Sequence, residues 1–165
     1  MISFPSWWDA QAQAALPPIE DVFVSRFTNL MPGVTPVYWI PTDEETQQII
    51  FGSSEGYLRI YRLGGETDIE ERRDIHRVQF AAMTADRNTS WRVVAFVQRV
   101  LYAYEHTSYV TMPDASRVAV KFRGETLGPL LDPQLIRDAR LVPWTVEVET
   151  PWPKGLPNIR EHLDL

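Results

Sequence analysis

The hydrophobic period changes within one continuous stretch, RVQFAAMTADRNTSWRVVAFVQRVLYAY, residues 77–104. Its first arm alternates, with Val78, Phe80 and Ala82 on one side and Arg77, Gln79 and Ala81 on the other, the period of a strand with one buried face. Past a polar turn, Val93, Phe96, Val97, Val100, Leu101 and Tyr104 recur at spacings of three and four. That spacing predicts an amphipathic helix starting near Asp86 or Asn88, both good N-caps. A strand that feeds such a helix restricts the chain to architectures in which helices cover a sheet. The stretch carries no catalytic motif, so its purpose has to be sought in what it supports.

The same reading extends along the chain. In PPIEDVFVSRFTNLMPG, Ile19, Val22, Phe23, Phe27, Leu30 and Met31 share one side of a helical period, with Pro18 in the first turn and Pro32-Gly33 as the stop. TPVYWIP, residues 35–41, reads as a short strand bounded by prolines and therefore near a sheet edge. A polar loop follows. Two strand-like runs in residues 57–83 form a hairpin, with its turn at Gly64 and Gly65 and a charged tip. SRVAVKF, residues 116–122, is a further strand. LVPWTVEVET alternates Trp144, Val146 and Val148 against Thr145, Glu147 and Glu149, which predicts a strand with one wet face. Together these elements predict an α+β fold, a mostly antiparallel mixed sheet with two helices packed on one face. Three segments are expected: an N-terminal arm (1–17), the α+β domain (18–150) and a proline-rich C-terminal extension (151–165).

With 165 residues, one core can bury roughly 70% of the surface of the unfolded chain, so no staple is required. The absence of cysteine excludes disulfides, thiolate metal sites and thiol nucleophiles. No apolar run approaches bilayer length, and MISFPSWWDAQ lacks the features of a secretory leader, so a soluble chain used inside a cell is expected. The net charge of −6 argues against grip on a phosphate backbone.

Motifs for chemistry are missing. His76, His106 and His162 lie far apart and make no metal-binding spacing. There is no nucleophile elbow around Ser53 and Ser54, and turn geometry accounts for Gly64 and Gly65. The acidic groups at 43–45 and 66–74 lack the spacing of a calcium loop, and the second is interleaved with Arg72 and Arg73. No catalytic, cofactor-binding or metal-binding residue is assigned. What a lone domain leaves over is aromatic: of six tryptophans, Trp91 and Trp144 suit the core, whereas Trp7, Trp8 and Trp152 suit an interface. The charged tip adds Glu66, Asp68, Glu70, Arg72 and Arg73 as candidate interface residues.

The succession IEDVFVSRFTNL, YLRIYRLGG, DIHRVQFAAMTADRNTSWRVVAFVQRVLYA and ARLVPWTVEVET resembles the tail terminator proteins of long-tailed bacteriophages, over residues 18–150. The resemblance implies a virion protein assembled in the host cytoplasm, six copies of which form a ring on the head-proximal end of the tail tube. The ring would stop tube polymerisation and join the tail to the head. Its partners would be its own copies, the major tail tube protein and a head-completion or stopper protein. DNA would pass through the lumen without being read, and no membrane is involved. Protomer contacts would use an exposed sheet edge and the charged tip, and the loop 42–56 and the tail 151–165 would meet the tube or the connector. Other readings stay open: another neck protein of the same particle, the tube protein, a small enzyme built on His76 and scattered carboxylates, or a monomeric module that binds peptides along a sheet edge.

Overall fold

The computed structural model describes Pro5, Trp7, residues 17–128 and 140–153, Glu161 and Leu163. Helix α1 (Ile19–Phe27) buries Ile19, Val22, Phe23 and Phe27, one face of a 3.6-residue period. Glu20 and Asp21 sit in its first turn and Arg26 in its last, each sign matched to the helix dipole. It ends at Thr28, earlier than expected, because Asn29 turns the chain with a positive φ of 63°. Leu30 and Met31 still pack on the core from outside the helix.

Strand β1 (Val34–Val37) runs parallel to β2 (Gly56–Asp68). It is shorter than residues 35–41 and lies at the sheet edge. Strand β3 (Arg73–Thr84) returns antiparallel to β2. The turn of this hairpin is at residues 69–72, so Gly64 and Gly65 are inside β2 rather than at the bend. The correction has a steric reason. A Cβ on Gly65 would sit 2.1 Å from the Ile75 carbonyl oxygen, and the register shifts between Arg62 and Gly64. The glycines allow a bulge and a close backbone approach.

Helix α2 (Arg87–Tyr102) starts where the sequence placed it. The Asp86 carboxylate accepts the Thr89 N–H at 2.9 Å, and Ser90, Val93, Val94, Val97 and Leu101 are buried. Phe96, expected in the buried stripe, is exposed, and Val94 takes the inward position instead. A four-residue strand β4 (Ser108–Thr111), absent from the sequence reading, pairs with β5 (Arg117–Leu127). Only Val110 of β4 is buried, too little for a periodic signal. Strand β6 (Val142–Pro151) inserts between β3 and β5.

The six-stranded sheet has the order β1-β2-β3-β6-β5-β4, with β1–β2 its parallel pair. Both helices contribute to one core with the inward residues of β2, β3 and β6. Phe80 is at its centre, edge-on to Phe23 at 5.1 Å and to Phe27 at 5.9 Å, and beside its register partner Trp144 at 6.0 Å. The α+β architecture with both helices on one face is therefore as the sequence predicts. A second, smaller cluster of Ile40, Tyr57 and Met83, flanked by Val37, Ile49, Phe51 and Leu141, lies on the opposite face of the sheet.

Candidate interaction surface

The loop 42–56 is an ordered cap rather than a plain polar connection. The Asp43 carboxylate accepts the Thr46 N–H, the Thr46 hydroxyl and the Glu45 N–H, which hold its pKa below the usual carboxylate range. Thr42 bridges to Ile49, and Tyr57 donates its hydroxyl to the carbonyls of Ile50 at 2.7 Å and Phe51 at 3.2 Å. The loop thereby folds its apolar residues onto one end of the sheet's outer face.

Farther along that face the residues are charged. Glu149, expected on a wet face, is buried. Three cations from two neighbouring strands lie over it: Arg123 at 3.0 Å, Arg73 at 3.3 Å and Lys121 at 3.6 Å. Their long side chains exclude water from a carboxylate that they also neutralise. Thr145 is buried on the same face, and Glu147 binds Arg77 at 3.3 Å.

The candidates read from sequence separate into groups. Asp68 pairs with Arg73 at 3.0 Å, which links the hairpin tip to the Glu149 cluster. The Arg72 carbonyl accepts the Trp152 N–H at 2.8 Å, and its guanidinium lies 6.0 Å from the Trp152 ring centroid. Asp68, Arg72, Arg73 and Trp152 thus form one neighbourhood at the end of the hairpin. Trp152 is half-buried, and its indole N–H has no partner among the described residues. Glu66 and Glu70 are exposed. Trp7 is half-buried and already engaged within the chain, and Trp8 lies outside the described residues, as does His162.

His76 is in β3, buried, with Nε2 2.8 Å from the Thr150 hydroxyl and Nδ1 without a partner among the described residues. Burial, helped by the Arg62 charge, pushes its pKa down to about 4, so the ring is neutral near pH 7. His106 is exposed beside Glu105. Among the described residues, no three His, Cys, Asp or Glu side chains are placed to hold a metal. An open depression of about 330 Å³ beside β1 is lined by Thr28, Asn29, Thr35, Ser53 and Ser54 with Met31, Gly33 and prolines, and holds no acid or base.

The sequence reading missed the most exposed part of the hairpin. β1 pairs with β2 only from Gly56 to Arg59, so among the described residues no strand lies beside one edge of β2 from Ile60 onward. Tyr61, Leu63 and Ile69 are exposed there, and Trp39 is 70% exposed above Arg59. No local signal marks this, because the exposure follows from where β1 stops.

No curated protein matches the chain. A family model described as phage tail termination protein matches residues 15–157.

Proposed function

The chain belongs to the phage tail termination protein family, a structural component of the bacteriophage tail, and from that premise we propose that six copies close into a ring on the head-proximal end of the tail tube. The ring stops tube polymerisation and presents the surface to which the head's completion or stopper protein attaches. Assembly takes place in the host cytoplasm.

The match over residues 15–157 carries this reading. Two properties support it. The chain is a layered scaffold with much of its distinctive chemistry in edges, tips and loops, which suits assembly through contacts rather than turnover. Its net charge of −6 gives a wall that does not retain passing DNA. In the ring, the candidates Trp7, Trp8, Glu66, Asp68, Glu70, Arg72, Arg73 and Trp152 face neighbouring proteins, and the loop 42–56 and tail 151–165 meet the tube or connector.

The test is the mass of the purified protein by light scattering, with and without purified tail tubes, and electron microscopy of the tube ends. A hexamer, or a cap at one tube end that halts elongation, is the expected result. A monomer that leaves tube growth unchanged at every concentration overturns the proposal.

A further inference from the structure

We infer that neighbouring copies of this chain join edge to edge, the distal half of β2 in one copy pairing antiparallel with the second half of β5 in the next. This rests on the ring reading above and specifies its contact.

Two stretches of the sheet lack a neighbouring strand on one side among the described residues. β2 is open from Ile60 to Asp68, where the Arg62 N–H is taken by the Glu20 carboxylate at 3.1 Å and the Gly64 carbonyl accepts the Arg62 Nε–H at 3.3 Å. β5 is covered by β4 at Arg117–Val120 and is open from Lys121 to Leu127, where only the Phe122 N–H is taken, by the Tyr104 carbonyl at 2.7 Å. Open N–H and C=O rows of this kind are templates for pairing. The β1 edge differs, because Pro36 removes a donor from a strand of four residues.

The two open stretches face opposite ways and overlap in height, Tyr61–Glu66 against Leu127–Lys121. Tracing partners across the sheet, Gln79 links Tyr61 to Leu127 through Thr145, Val78 links Arg62 to Glu125 through Val146, and Ile75 links Glu66 to Lys121 through Glu149. β2 and β5 run in opposite directions. A rotation about an axis along the strands keeps every direction, so it brings β2 of one copy antiparallel to β5 of the next. Such a head-to-tail contact uses two different surfaces, as a closed ring requires.

The side chains at matching heights are complementary. Arg62 meets Glu125 on the helix-covered face, and Glu66 meets Lys121 on the outer face. Tyr61 meets Leu127, both 47% exposed in the single copy. The irregular points lie close together: β2 shifts register between Arg62 and Gly64, level with Glu125 and Gly124, and β5 shifts on either side of that pair, between Phe122 and Gly124 and between Glu125 and Leu127. Bulges at barrel rims bend strands toward closure. β5 ends at Leu127, level with Tyr61, and β1 ends opposite Arg59, so the incoming strand stops short of β1.

The chain has no cysteine, which makes cross-linking a direct test. Carrying Arg62→Cys and Glu125→Cys together, the oxidised protein, alone or on capped tubes, is expected to give a ladder of covalent multimers, while either single variant stays monomeric on a non-reducing gel. Dimers from Arg62→Cys alone would mean β2 pairs with its own copy, and overturn the inference. So would the absence of any multimer from the double variant while light scattering still shows a ring, an outcome that leaves the ring reading standing. If no ring or cap forms at all, both fall. Separately, Arg62→Glu is expected to weaken assembly at least about tenfold, and adding Glu125→Arg to restore it. Failure of that restoration in variants whose circular dichroism is unchanged counts against the pairing.

Discussion

At Gly65 the carbonyl oxygen of Ile75 occupies the space a side chain would need, and φ is +152°; Gly64 has nearly the same backbone, with φ +154°, and nothing within 4 Å. Gly65→Ala should therefore lower stability by about 3 kcal/mol or more, against about 1–2 kcal/mol for Gly64→Ala, compared by urea midpoints. At His76 burial favours the neutral ring in the folded state, with a pKa of about 4 against about 6.5 unfolded. The unfolded chain binds the extra proton between those values, so stability falls as pH drops from about 6.5 to 4 and is flat above. The difference amounts to roughly 3 kcal/mol, and His76→Gln should remove that slope from a pH series of denaturation curves. Glu149 is 8% exposed in its side chain and binds three cations that are themselves 29–40% exposed. Glu149→Gln should cost about 1–3 kcal/mol, less than for a wholly buried pair because solvent screens the cations. Neither His76 nor Glu149 stood out in the sequence for these roles. The three cations of Glu149 lie at least 26 residues away, and only strand register assembles the cluster.

Among the elements, α2 was the most legible, since its N-cap and its stripe are both local. Asp86→Ala should lower stability by about 1 kcal/mol and reduce helical circular dichroism near the melting point. Phe96 was misplaced because a period of three and four leaves a choice between Phe96 and Val94, and the angle at which the helix lies on β3 decides it. The hairpin was legible as two strands, but Gly-Gly reads as a turn whenever the surrounding pairing is unknown. The loop 42–56 gave no periodic signal, yet Tyr57 pins it. Tyr57→Phe should take the hydroxyl donor from the Ile50 carbonyl and from the Phe51 carbonyl, which keeps the Ser54 N–H, lowering stability by about 1 kcal/mol and speeding amide exchange in residues 43–51.

For the whole molecule, a net charge of −6 should leave duplex DNA unretarded in gel-shift titrations at physiological salt, and under the proposed function the same preparation should cap tubes. The sequence by itself determined the types of all elements but β4, the inward faces of β3 and β6, the N-cap of α2 and the family resemblance. These depend on local stereochemistry and side-chain period, which a window of ten to twenty residues contains. Only the tertiary structure decided the strand order β1-β2-β3-β6-β5-β4, the burial of Glu149 and the two open edges that overlap in height. Those depend on which distant segments pair, and in what register. That choice is set by the summed packing of Phe23, Phe27, Phe80 and Trp144 around one core, a property no single stretch of the chain carries.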